Sequence, residues 1–307
     1  MPTLVTGGTG FIGTRVARHL AEAGEKIICL DVSPNGDALS DLKDQVKIYQ
    51  GDITAIEELI AIIQKFEINR IIHLAVQRER LHSAMKISAM GTNCVFEAAR
   101  LTGVKRVAFA SSAAYHGPQA AFGNKAVTED DHGYPTIVYG AIKWLNEFMA
   151  GAYNAQYHME IIAVRLSLVY GWGSRGGLNW TNDLIGLPAL GKQAKVPHRS
   201  THGTCLIHVD DVAEIFKRVV TKDKLAYQVF HTGGHSCTLG EMADAVRDLI
   251  PGADIIFDEQ APEIPFVYLI DNSRLKTELA FTPRDLKDGL RDVINRVRSG
   301  TGLSPLD

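Results

Sequence analysis

The chain of 307 residues reads as an α/β protein: a doubly wound parallel sheet followed by a smaller, mixed α/β C-terminal lobe. Three observations predict this. Short β-branched runs alternate with longer stretches of helical periodicity over residues 1–165. Several of those runs are apolar throughout, as in strands that helices cover on both faces. The first of them also leads straight into a glycine-rich turn that opens a helix.

Taken in order, the candidate strands are 3–6, 26–30, 46–50, 70–74, 104–110 and 160–165. Candidate helices fall between them, at roughly 11–23, 54–66, 84–102 and 139–157. After Arg165 the regularity fades. Residues 170–203 are rich in Gly, Pro and Trp and read as long loops around one short helix. A strand at 205–209, a helix from Asp210, a strand at 227–231 and a helix from Leu239 follow. The chain closes with a strand at 255–257 and helices from Asn272 and Leu286. Residues 1–165 therefore form a first domain, to which strands from about 204–231 return. Residues 166–307 are mainly a second lobe.

Composition narrows the function. Apolar residues are 46% and charged residues 22% of the chain, ordinary globular values. A formal charge of -3 argues against a nucleic-acid partner and for a small-molecule substrate. No apolar run reaches the roughly 18 residues of a membrane span, and the N-terminus lacks a signal-peptide pattern. Cys29, Cys94, Cys205 and Cys237 have no paired spacing, so neither a metal site nor a disulfide framework is expected. A reduced, cytoplasmic setting is the expectation.

Thr6-Gly-Gly-Thr-Gly-Phe-Ile-Gly13 follows the first strand and opens the first helix. Gly7 permits the tight turn, Gly10 lets the backbone approach a pyrophosphate, and Gly13 lets helix and strand pack closely. The helix start at Phe11 and Ile12 then offers free N–H groups to the phosphates. About twenty residues on, Asp31 ends the second strand, where a carboxylate accepts bonds from ribose hydroxyls. It would repel a 2′-phosphate, which favours NAD over NADP; the plainer reading is a cap on the turn before Ser33-Pro34. Asp52, with Ile53, closes the third strand, either reaching the adenine or capping the next helix.

Tyr139 and Lys143 stand one turn apart at the start of a helix, on the same face. A free phenol is a poor base at neutral pH, but a neighbouring ammonium favours its phenolate. Ser111-Ser112 closes the fifth strand, and strand ends on the carboxyl edge of such a sheet point into the ligand crevice. A hydroxyl there can bond the substrate oxygen whose proton Tyr139 takes.

Over nearly the whole chain the sequence resembles the extended short-chain dehydrogenase/reductase family, the NAD-dependent epimerase/dehydratase group with its Rossmann domain. The motifs are Thr6 to Gly13, Asp31, Gly51-Asp52-Ile53, His73-Leu74-Ala75, Gly91-Thr92, Ser111-Ser112 to Gly117, Tyr139 with Lys143, Arg165, Tyr170-Gly171 and Ile207 to Ala213. The resemblance implies that Tyr139 transfers the proton and that Lys143 holds the nicotinamide ribose. It also implies that Ser112 is the catalytic hydroxyl, that Leu74 and Ala75 line the NAD site, and that the protein is a homodimer through the helices near 84–102 and 139–157.

Departures from the family pattern bear on the substrate. The acid pair of dehydratases is replaced by Ala113 and Ala114, so elimination of water is not expected. His116 stands where the family has tyrosine. Leu168 and Thr204-Cys205 replace the asparagine and arginine that hold a nucleotide diphosphate, and Ser88 replaces a further asparagine. What remains is a basic loop (Lys192, Lys195, His198, Arg199, His202) together with Arg78 and Arg80. These cations, and Ser111, are candidates for holding a carboxylate or phosphate. Trp172 and Trp180 either stack on a sugar or fill the lobe core. The expected activity is NAD-dependent oxidation of a secondary alcohol of a sugar, sugar acid or similar hydroxy compound. The alternatives are a redox-neutral sugar epimerase and an NAD-binding protein without turnover, though the latter has no need of the Tyr139/Lys143 pair.

Overall fold

A computed structural model describes residues 2–78, 80–173 and 179–306. Its main sheet is built from β1 (Thr3–Thr6), β2 (Ile27–Asp31), β3 (Val46–Gln50), β4 (Arg70–His73), β5 (Arg106–Ser112), β6 (Ile161–Leu166) and β10 (Val229–His231). All seven strands are parallel, in the order β3-β2-β1-β4-β5-β6-β10. Strand order reverses between β1 and β4, and in an open α/β sheet a ligand crevice forms at such a point.

Helices cover both faces, which is why β1 and β6 are buried along their whole length. On one face α1 (Phe11–Glu22) packs against α7 (Val209–Thr221), burying Val16, Leu20, Ile215 and Phe216 over Val5, Ile162 and Val164. On the other lie α2 (Ile56–Lys65), α4 (Thr92–Thr102) and α5 (Val138–Tyr157), whose Leu59, Phe96 and Ala150 close over Leu4, Ile71 and Phe109. Full burial of such side chains contributes about 1.5–3 kcal/mol each, enough for this core to need no disulfide. The four cysteines are free.

The second lobe carries α6 (Asn179–Ala189), α8 (Leu239–Leu249) and α10 (Leu286–Gly300), which share a core with Tyr170 and Trp180. It also has a three-stranded sheet of β7 (Leu168–Tyr170), β9 (Gly203–His208) and β11 (His235–Thr238), and a pair of β8 (Ala194–Val196) and β12 (Ile255–Phe257). The short α9 (Ser273–Leu279) packs back against β10 and α7.

Three local expectations need correcting. Of the strands expected to return to the main sheet from 204–231, β10 does. β9 instead joins the lobe sheet, because its residues pair with β7 and β11. The basic stretch 192–202, read as loop, carries β8, which Ile255–Phe257 recruits into a parallel pair. The helix expected at 84–102 is broken into a single turn, α3 (Leu81–Ala84), a π-helical stretch (Met85–Gly91) and α4. In the π stretch the Ser88 hydroxyl donates to Gln77 O at 2.8 Å and accepts from Gln77 N at 2.9 Å. The Ser88 carbonyl accepts from Thr92 Oγ1 at 2.8 Å and Asn146 Nδ2 at 2.9 Å. These side chains compete with regular helix bonding and tie the helix to the loop after β4.

Candidate active site

At the switch point a cleft of about 1100 Å³ runs from the glycine turn to the second lobe. Its wall begins with the turn after β1. A Cβ at Gly13 would lie 2.1 Å from Gly7 O, so only glycine lets α1 start this close to the strand. The α1 N-terminus carries no side-chain cap and no acidic residue in its first turn, which leaves its N–H groups and partial positive charge for an anion. Asp31 lines the same cleft. Its Oδ2 accepts from Thr9 Oγ1 at 2.8 Å and Thr9 N at 3.3 Å, and its Oδ1 from Ser33 N at 3.3 Å. The turn-capping role and a place on the cleft wall therefore coexist. Asp52 likewise braces the entry to α2 by accepting from Thr54 N at 2.9 Å, while it and Ile53 line the cleft.

Gly7, Gly10, Phe11, Ile12, Leu74 and Ala75 complete this wall. An uncapped helix start, a glycine cradle and a carboxylate at the end of the second strand fit a dinucleotide such as NAD.

The chemistry-bearing side chains come from β5 and α5. β5 runs on through both serines, and its two-residue alternation sends their hydroxyls apart. Ser112 lines the cleft, with Oγ accepting from Ala114 N at 3.2 Å and its hydroxyl hydrogen free to turn outward. Ser111 is buried and gives its hydroxyl to Glu147, which also forms a 2.7 Å ion pair with the buried Arg165. Although Ser111 is part of the cleft wall, that commitment leaves it the role of a brace rather than a substrate ligand.

Gly140 brings the two elements together. A Cβ there would lie 2.3 Å from Ala114 O, so the first turn of α5 can abut the turn after Ser112 only without a side chain. Tyr139 and Lys143 thus face the same cleft as Ser112. Lys143 is buried, donates to Ala110 O at 2.5 Å, and holds its Nζ 5.5 Å from the Tyr139 ring centroid. Burial lowers its ammonium from the ordinary lysine value. Tyr139 opposes that shift, and the nearby Arg78 charge adds to it.

The other candidate cations divide. Arg78 lines the cleft, with its guanidinium carbon 5.8 Å from the Tyr139 ring centroid. Arg199 does not line it. Arg199 donates to His202 at 2.9 Å and pairs with Glu263 at 3.5 Å, so two of the proposed substrate ligands satisfy one another. His198 takes their place on the wall, edge-on to Trp180 at 4.8 Å. Lys192, Lys195 and Trp172 are exposed and outside the lining. Part of the wall was not legible in the sequence: residues 262–267 have no periodicity to reveal it. Glu147 was also missed, although it repeats the four-residue spacing of Tyr139 and Lys143 along α5.

Elsewhere, His208, Asp210 and Asp292 gather within 4.8 Å. His208 Nδ1 accepts from Asp210 N at 3.2 Å, and Arg296 bridges both carboxylates at 3.3 and 2.8 Å, a pattern that cross-links α7 to α10.

A doubly wound sheet with an anion-ready helix start, and a serine, tyrosine and lysine across the cleft, defines a nucleotide-dependent enzyme of the extended short-chain dehydrogenase type. The chain matches the model of the NAD dependent epimerase/dehydratase family over residues 3–233 and belongs to that family. Its cofactor is NAD. Among its relatives, the UDP-glucuronate 4-epimerase of Thermodesulfobacterium geofontis is 27% identical over 316 residues, covering 95% of this chain and 94% of the relative. An uncharacterized protein of Methanocaldococcus jannaschii is 28% identical over 250 residues, 75% of this chain and 74% of its own. Among solved structures, a GalE-like L-threonine dehydrogenase from Cupriavidus necator superposes with a TM-score of 0.85 at 22% identity, covering 97% of this chain and 100% of that one. A dTDP-glucose 4,6-dehydratase from Bacillus anthracis in complex with NAD gives 0.85 at 22% identity, over 96% and 95%.

Proposed function

We propose that the protein is a dehydrogenase that oxidises a secondary alcohol of a small sugar-like or hydroxy compound free of a nucleotide diphosphate. The observation that carries this reading is the substrate end of the cleft. Leu168, Trp180, Thr204, Cys205, Pro262, Ile264, Pro265, Phe266 and Val267 line it, and beside the catalytic lysine its only lysine or arginine among the described residues is Arg78. A diphosphate needs several charge-assisted donors, which this wall does not supply. The buried Ala113 and Ala114 likewise offer no acid for dehydration.

In the reaction, Ser112 orients the substrate hydroxyl, Tyr139 in its phenolate form takes that proton and becomes a phenol as the carbonyl forms, and the Lys143 ammonium balances the phenolate charge beforehand. Bound NAD supplies the hydride acceptor. Lys143 is held for this task by Ala110 O, and Glu147 fixes the strand end through Ser111.

Incubation with NAD and a panel of sugar acids and polyols, followed at the NADH absorbance, is expected to give net NADH. The relatives include a 4-epimerase, which favours one competing reading. An isomerised product with NAD retained and no NADH released would replace dehydrogenation by epimerisation.

The expected homodimer is supported by exposed apolar residues on neighbouring helices: Met85, Met90 and Leu101 with Val138 and Phe148, the last 66% exposed. Light scattering is expected to give twice the chain mass for wild type and a single chain for Phe148→Glu; a wild-type monomer removes the dimer. No described helix is long and apolar enough to cross a membrane. The four free cysteines suit a reducing compartment such as the cytoplasm.

A further inference from the structure

We infer that Arg78 is the substrate-selecting residue of this cleft and that the alcohol it admits carries a single carboxylate. The inference rests on the dehydrogenase reading and narrows its substrate class. Four observations converge on it. Arg78 has no ion pair among the described residues, whereas Arg199 is held by His202 and Glu263. Its guanidinium carbon lies 5.8 Å from the Tyr139 ring centroid, within reach of an anionic group on the molecule whose hydroxyl Tyr139 deprotonates. Beside the catalytic Lys143, the surrounding wall is apolar or uncharged except for His198 and Glu263, so one anionic group is matched and a further phosphate is left without a partner. Finally, the segment bearing Arg78 is held in place. Gln77, its neighbour, is clasped on both backbone groups by Ser88 from the π-helical stretch, and Gln77 Oε1 accepts the Arg78 N–H at 2.7 Å.

A planar guanidinium binds a carboxylate through two parallel N–H···O bonds, which a lysine cannot reproduce. That pair discriminates between a hydroxy acid and the corresponding polyol. The neighbouring charge also raises the cost of keeping Lys143 protonated, and a bound carboxylate relieves that repulsion as the reaction begins. Substrate binding and catalytic readiness are thereby coupled through one side chain.

The test compares glycerate, threonate and gluconate with glycerol, threitol and glucitol, in wild type, Arg78→Ala and Arg78→Lys. Turnover is read as NADH formation. Binding is read separately, as the rise in Tm that each compound gives the Tyr139→Phe variant saturated with NAD, with Arg78 intact or replaced. The expected result is that acids raise Tm and are preferred by wild type. Arg78→Ala then lowers the acid-to-polyol ratio of kcat/KM by about 100-fold, and Arg78→Lys recovers only part of it. If acids and polyols shift Tm equally, or if the ratio survives in Arg78→Ala, Arg78 does not select a carboxylate. If acids bind through Arg78 but no variant or wild type forms NADH, the carboxylate site stands and the dehydrogenase reading falls.

Discussion

Tyr139→Phe is expected to lower kcat by at least about 10³-fold, or roughly 4 kcal/mol of transition-state stabilisation, while leaving NAD affinity within a few-fold of wild type. The substitution is chemically clean. Among the described residues the Tyr139 phenol has no hydrogen-bond partner within the protein, so removing its oxygen strands no buried donor or acceptor. The aromatic ring that packs beside Lys143 and Arg78 remains. What disappears is the group that accepts the alcohol proton. Single-turnover NADH formation measures the chemical step and fluorescence titration of NADH measures the cofactor site. A Tyr139→Phe enzyme within ten-fold of wild type would mean that the proton leaves by another route, and the assigned roles of Ser112 and Lys143 would fall with it. Lost NADH binding in the same variant would instead make Tyr139 part of the cofactor site first and of the chemistry second.

The second large effect is on stability. Burial pushes three of the buried imidazoles far below the ordinary histidine value. Burial depresses His73 from 6.5 to about 3, with the charge of Lys143 adding to it. Burial likewise brings His231 to about 3, aided by Arg165, and His116 to about 2, aided by His231 and Arg165. His73 lies between Thr6 and Thr92, at 2.6 and 3.0 Å from their hydroxyls. His116 and His231 face each other at 2.9 Å between their Nε2 atoms, with Arg165 alongside.

In the unfolded chain all three protonate near 6.5, and in the folded chain only far below that. Between those limits the unfolded state binds more protons, so stability is complete above pH 6.5 and falls as the solution is acidified. At pH 5.5 each histidine forfeits about 1.4 kcal/mol, together about 4 kcal/mol, a large share of the roughly 5–15 kcal/mol typical of a domain. Glu129 opposes this, because burial raises its carboxyl, whereas His198 and His202, which burial also lowers, add to it. Calorimetric scans are expected to show Tm falling by on the order of 6 °C between pH 7.5 and 5.5. His231→Gln should make that slope shallower, even though it lowers Tm at neutral pH. A flat Tm over this window would show that these imidazoles accept protons without unfolding.

The sequence alone determined the cofactor half of this protein. Thr6 to Gly13, Asp31 and the Tyr139/Lys143 pair are local patterns, in which a turn, a strand end or one helical turn places every group. Covalent spacing is then sufficient to place them. The choice of Ser112 over its neighbour came from the family resemblance, and the fold then commits Ser111 to Glu147.

The substrate half was decided by tertiary structure. Arg78 and Arg199 look alike in the sequence as cations on irregular segments. The fold pairs Arg199 with His202 and Glu263, and leaves Arg78 beside Tyr139 with no ion pair among the described residues. The wall at 262–267 and the Ser88–Gln77 clasp are likewise contacts between segments far apart in the chain. Such contacts exist only once the core has closed, because loops carry no periodicity that fixes their direction and take their course from what they pack against.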